Sequence, residues 1–167
     1  MNILLAIDES SCSEAAVDAV ITQFRPSDVD VRVVHVIAWP QDLPTSFAFA
    51  EGPSAAQSVL HERRELHRHG RHLLARAVDR LRHANFKATP KLVEGSPRHA
   101  IVAMAADWPA DTIVIGSHGR TGIQRVLLGS VSSGVVRHAT CSVHVVRENR
   151  DRLAADVTKT RQHAVNR

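Results

Sequence analysis

The sequence predicts an α/β fold, an open five-stranded parallel sheet with helices on both faces. Three observations carry that prediction. Short runs rich in Val, Ile and Leu recur along the chain, separated by stretches with a 3.6-residue apolar period. Strands and helices alternate strictly, which calls for crossover connections and therefore parallel strands. Aromatic residues make up only 4% of the chain, with four Phe, two Trp and no Tyr. The core must then be built from Val, Ile, Leu and Ala, which suit parallel strands buried on both faces.

Ile3 to Ile7 is a continuous apolar run and reads as the first buried strand. Ser10 or Ser11 then caps a helix with Ala16, Val17, Val20 and Phe24 on one face, and Arg25-Pro26-Ser27-Asp28 ends it. Val29 to Ile37 is β-branched and forms the second strand. Pro40, Pro44, Gly52 and Pro53 make Trp39 to Pro53 a loop. From Ser54 to Ala84 the pattern is helical, with Leu66, Leu73, Leu74, Ala77 and Leu81 in period and the Arg and His residues largely opposite. Gly70 weakens this helix and marks a candidate bend. Ala88 to Val93 reads as the third strand despite Pro90. Gly95-Ser96-Pro97 starts the next helix, with Ser96 as N-cap and Pro97 at N1, running to Ala106. Asp111 to Ile115 is the fourth strand and leads directly into Gly116. Ser130 opens the last helix, through His138, and Ser142 to Val146 is the fifth strand. The polar remainder lacks a strong apolar stripe, giving one domain over 1–147 and a C-terminal tail over 148–167.

A chain of this length buries roughly 70% of the surface its unfolded form exposes, so it needs no staples. The apolar run at the N-terminus is too short for a signal segment and has no basic residues before it. No stretch approaches the roughly 20 apolar residues of a membrane span. Cys12 and Cys141 lie far apart without metal-ligand spacing and fit a reducing compartment, so a cytoplasmic location is expected. The formal charge of +4 raises the question of nucleic acid. Much of the excess lies between His61 and His83, where Glu62, Glu65 and Asp79 are interleaved and no aromatic platform accompanies it. That pattern describes a solvated helix face. The histidines there (His61, His67, His69, His72 and His83) include no i, i+4 pair, and no metal site is expected. Cys12, near a helix N-terminus, is read as a small buried residue.

In open parallel sheets, ligands bind outside the carboxyl ends of the strands where the winding reverses. Two strand ends carry suitable chemistry. One is Ile7-Asp8-Glu9-Ser10-Ser11, acidic and hydroxyl-rich. The other is Gly116-Ser117-His118-Gly119-Arg120-Thr121-Gly122, followed by Gly129-Ser130-Val131-Ser132-Ser133 at a helix start. Glycine lets backbone approach a ligand closely, and a helix N-terminus offers free N–H groups with partial positive charge. Ser130, Ser132 and Ser133 add hydroxyls, completing a cradle for phosphate oxygens. The alternative is that the glycines only make a tight turn and Ser130 is only an N-cap.

The spacing Gly116-x2-Gly119-x9-Gly129-Ser130 resembles the nucleotide motif of ATP-binding universal stress proteins. The resemblance extends to the strand ending in Asp8, to Val33-Val34-His35-Val36-Ile37, to Glu94-Gly95-Ser96-Pro97 and to Cys141-Ser142-Val143-His144-Val145-Val146. It implies a Rossmann-like sheet of order 3-2-1-4-5, with the winding reversal between strands one and four. It places adenine near Ala6, Ile7, Asp8 and the backbone of Val36. Ribose and phosphates follow along Ile115, Gly116, Gly119, Gly129, Ser130, Val131 and Ser132. Asp8 would bond the nucleoside part or help hold magnesium, and it is equally suited to capping the helix that follows. ATP, with magnesium, is the implied ligand, and a homodimer through the strand over 142–146 the implied assembly.

The loop is not a Walker A motif, since no Gly-Lys-Ser/Thr follows the glycines and Lys87, Lys91 and Lys159 lie elsewhere. Arg120 and Arg125 suit β- and γ-phosphate charge or simple solvation. His118 is the one obvious candidate base and reads better as a turn residue, so no catalytic residue is assigned. The expectation is a nucleotide-dependent stress-response switch. A slow ATPase or phosphotransferase in the same pocket, and an interaction module reading the basic face from Arg63 to Arg82, are the alternatives.

Overall fold

The structure is a computed structural model that describes residues 1–38, 53–119 and 128–148. The loop expected over Trp39–Pro53 lies outside these residues except at its last position. So do Arg120 and all of the C-terminal tail beyond Glu148. The element order is β1 (Asn2–Ala6), α1 (Ser11–Gln23), β2 (Asp30–Ile37), α2 (Pro53–His83), β3 (Lys87–Glu94), α3 (Pro97–Asp107), β4 (Thr112–Gly116), α4 (Ser130–His138) and β5 (Ser142–Val146), with a 3-10 turn at Pro26–Asp28 before β2. The strands form one parallel sheet of order β3-β2-β1-β4-β5. β1 and β4 lie side by side, with Ala6 opposite Ile115, and the chain winds outward from them in opposite directions.

β1 and β4 are apolar after their first residues, Asn2 and Thr112, because they are covered on both faces: Ile3, Leu4, Leu5, Ile113 and Val114 are fully buried. Alternation sends Ile3, Leu5, Val31 and Val33 to one side, where they pack on α1 and α2 through Val17, Val20, Leu74 and Leu81. Leu4, Ala6, Val34 and Ile115 face the other side, against Ile101 and Met104 of α3 and Val135 of α4. β3 is an edge strand, which is why Pro90, without an N–H, is tolerated within it.

Three local expectations are refined. Gly70 lies inside a continuous α2, Pro53–His83. A Cβ at position 70 would lie 2.8 Å from Leu92 Cδ1 and 2.9 Å from His35 Cδ2, so the glycine is there for close packing on β2 and β3. That contact offsets a helix-propensity cost of about 1 kcal/mol. Ser96 occupies the N-cap position of α3 but makes no side-chain capping bond; Pro97 at N1 starts the helix. The N-cap of α4 is Gly129, and Ser130 is its first helical residue.

Candidate functional site

β1 stops at Ala6, and the chain turns over the carboxyl edge of the sheet through Ile7 and Asp8 into α1. Ser10 caps α1, accepting from Ser13 N at 3.2 Å. Asp8 anchors this turn from the other side. Its Oδ1 accepts from Ser10 N (3.0 Å), Ser13 Oγ (2.6 Å) and Ser10 Oγ, while its own N–H donates to Ser13 Oγ at 2.9 Å. The helix-capping role and the position at the strand end therefore coexist in one residue. The second oxygen, Oδ2, faces Gly119: a Cβ there would stand 2.7 Å from it.

Beyond β4 the chain is pinned at both ends of the glycine segment. Ser117 O accepts from Gly129 N (2.7 Å) and from Ser132 Oγ (2.8 Å), and His118 O lies 3.1 Å from Ser10 Oγ as an alternative acceptor for its hydroxyl. The Ser132 hydroxyl also points at Gly129 O, 3.0 Å away. Through these contacts the Ser132 hydroxyl closes the loop. The amides of α4 are placed differently. The first intrahelical bond is Ser133 N to Gly129 O, so the N–H groups of Ser130, Val131 and Ser132 have no acceptor among the described residues. Gly116 also has a packing duty, since a Cβ there would sit 2.9 Å from the backbone carbon of Cys12 in α1.

The third edge is the end of β2. Ile7 N donates to Val34 O (2.9 Å) as the last rung between β1 and β2. Because strand residues two apart point the same way, Val36 turns its N–H and C=O toward β1, past the end of that strand. The regular parallel ladder would next join Val36 N–H to Ile7 O. Instead, Ile7 O is bonded by His35 Nδ1 at 2.9 Å. The Val36 rung is absent among the described residues.

These three edges enclose a cavity of about 510 Å³. Ala6, Ile7, Asp8, Val36, Ile115, Gly116, Gly119, Gly129, Ser130, Val131 and Ser132 all line it, whereas Ser133, also offered for the cradle, does not. Several lining residues were not anticipated. Leu66 and His69 come from α2, and Pro97 and Ile101 from α3. His69 is exposed, in a run that reads as a solvated face, yet it pairs with Glu9 at the cavity mouth. The one sequence signal for this approach was its neighbour Gly70, a glycine inside a helix.

The basic face of α2 is largely spoken for. Arg63 pairs with Glu94, Arg68 with Glu65, and Arg76 and Arg80 with Glu14 and Asp18 of α1. The guanidinium of Arg82 donates to Ala88 O at 3.0 Å. Glu94 is held below the ordinary carboxylate range, first by its hydrogen bond from Arg63 and then by that from His67. Among the described residues no group of three His, Cys, Asp or Glu side chains is placed to hold a metal ion. No described helix is long and apolar enough to cross a membrane.

Residues 1–147 match the model of the universal stress protein family. The chain belongs to that family. It is 31% identical over 146 residues to universal stress protein MJ0531 of Methanocaldococcus jannaschii, covering 87% of this chain and 81% of that one. The solved structure of MJ0577, a universal stress protein of the same organism, superimposes with a TM-score of 0.74 at 26% identity, over 89% of this chain and 96% of the other. Two more distant family structures show the same fold. One, from Arabidopsis thaliana, has AMP bound (TM-score 0.60, 20% identity, 90% and 94% coverage). The other is a universal stress protein in complex with cAMP (TM-score 0.59, 24% identity, 88% and 96% coverage). The 3-2-1-4-5 sheet of this universal stress protein is the one the sequence resemblance implied.

Proposed function

We propose that this universal stress protein binds an adenine nucleotide, ATP with magnesium in the first instance, in the cavity between the ends of β1, β2 and β4. The observation that carries the reading is the pairing of two unsatisfied backbone features across one cavity. At one end, Val36 offers an N–H and a C=O side by side, which match the adjacent acceptor and donor on the edge of adenine. At the other, the free amides of Ser130, Val131 and Ser132 suit phosphate oxygens. The apolar walls Val34, Ile37 and Ile101 suit the faces of a base, and the volume falls within the roughly 300–1,000 Å³ of small-molecule sites. Family structures with bound AMP and cAMP support the same ligand class.

Asp8 Oδ2 is the carboxylate oxygen available to a magnesium ion held chiefly by phosphates, an arrangement this ion commonly accepts. When bound, the ion would neutralise phosphate charge beside Asp8; the chain's own part is to orient that oxygen through Ser10 and Ser13. The assembly proposed is a homodimer through β5. Lys87, Pro90 and Lys91 blunt the β3 edge, whereas Val143, Val145 and Val146 on the β5 edge are only partly buried. Nucleotide would then shift the population of a partner-binding state, as expected of a switch.

The test is calorimetric titration of the nucleotide-stripped protein with ATP and magnesium, then AMP and cAMP. Micromolar binding of ATP that weakens when magnesium is withheld supports the reading. Failure of all three to bind removes it. Turnover that disappears in Asp8→Ala would make the site a slow ATPase.

A further inference from the structure

His35 lies beside the proposed adenine edge without belonging to it. In a regular parallel ladder the residue opposite Ile7 is spanned by two rungs, Ile7 N–H to Val34 O and Val36 N–H to Ile7 O. Here the first rung is made and the second is replaced by the imidazole, whose Nδ1 is 2.9 Å from Ile7 O. A carbonyl oxygen only accepts, so Nδ1 carries the proton. A second observation concerns the seat of the ring. Gly70 of α2 lies directly over it, and a Cβ there would stand 2.9 Å from His35 Cδ2 and 3.6 Å from Nε2. The helix thus carries a glycine where any side chain would push the imidazole away from Ile7.

We propose that His35 is a positioning residue that keeps the base-reading edge open: by taking the Ile7 carbonyl out of the ladder, it leaves Val36 N–H for the ligand. Gly70 belongs to the same device, because it fixes the ring in the one place from which Nδ1 reaches Ile7 O. The ligand half of this inference rests on the adenine-nucleotide reading; the ladder half does not.

The test therefore has two readouts. The first is hydrogen exchange of the Val36 amide by NMR in ligand-free protein. Wild type should exchange it quickly, and His35→Leu should slow it by at least tenfold as the Val36–Ile7 rung forms. His35→Asn, whose side-chain amide puts a donor where Nδ1 stands, should keep the wild-type rate. Gly70→Ala should behave like His35→Leu although it leaves the histidine in place. The second readout is the ratio of affinities for ATP and for inorganic tripolyphosphate, which lacks the base. His35→Leu and Gly70→Ala should lower that ratio about tenfold, the worth of one good hydrogen bond, and His35→Asn should restore it. A Val36 amide already protected in wild type, or unchanged in both variants, overturns the proposal whatever the nucleotide does. If Val36 behaves as expected and no adenine nucleotide binds, the ladder device stands and the nucleotide reading falls. Should His35→Leu not fold, Gly70→Ala and His35→Asn decide the question.

Discussion

Replacing Asp8 by Ala and by Asn separates the two jobs of this carboxylate. In Asp8→Ala, Oδ1 disappears and three donors lose it: Ser10 N–H, Ser13 O–H and Ser10 O–H. Hydrogen bonds to a charged group are worth about 1.5–3 kcal/mol each. The two hydroxyls can rotate, and Ser10 Oγ already has His118 O within 3.1 Å. Only the Ser10 N–H is stranded outright, in a partly buried turn, so the whole loss should be about 2–4 kcal/mol. For a domain of this size, 1 kcal/mol moves Tm by roughly 2–4 °C. Calorimetric melting of ligand-free Asp8→Ala should therefore show a Tm lowered by about 4–16 °C. Asp8→Asn keeps the Oδ1 acceptor and exchanges only the oxygen facing Gly119 for an amide. Its stability should stay within about 1 kcal/mol of wild type, while the magnesium dependence of ATP binding disappears. An Asp8→Ala protein that melts with wild type would refute the anchoring role, because three donors would then have been satisfied without the carboxylate.

Gly119→Val should abolish measurable ATP binding, since the new Cβ would begin 2.7 Å from Asp8 Oδ2 and displace the carboxylate; unaltered calorimetric affinity would contradict the site. Ser132→Ala should cost about 1–2 kcal/mol in chemical denaturation by removing the side-chain donor to the Ser117 carbonyl, which keeps only its bond from Gly129 N. Ser130→Ala, at an exposed position that is not the cap, should stay within about 0.5 kcal/mol; a reversed order would show the cap assignment at Gly129 to be mistaken. Glu94 titrates lower in the folded chain than in the unfolded one. Its pair with Arg63 and His67 therefore stabilises fully above the unfolded value near 4.3 and fades as pH falls through the lower folded value. The Tm gap between wild type and Glu94→Gln should be open at pH 7 and narrow as the pH falls below the ordinary carboxylate range; a gap independent of pH would assign Glu94 a purely steric role.

The strands, their parallel arrangement and the two strand ends that line the cavity were legible in the chain itself, because each rests on local pattern. A continuous run such as Ile3–Ile7 has no polar face to expose. A glycine-hydroxyl cluster following such a strand must lie at its carboxyl end. The sequence also told Gly129-Ser130 to start a helix, though the cap fell one residue earlier than Ser130 because Gly129 supplies the first carbonyl of α4. The residues that α2 and α3 bring to the cavity were not legible. Leu66 and His69 obey the helical period of a surface helix, and nothing local says what that helix crosses. The same holds for Gly70, whose meaning lies in the His35 ring beneath it, and for Ser132, whose hydroxyl turns inward to a carbonyl fifteen residues away. Periodicity reports which face of an element is buried, since burial follows from local polarity. The partner on that face, and the backbone groups left without one, depend on contacts between distant segments that only the folded chain assembles.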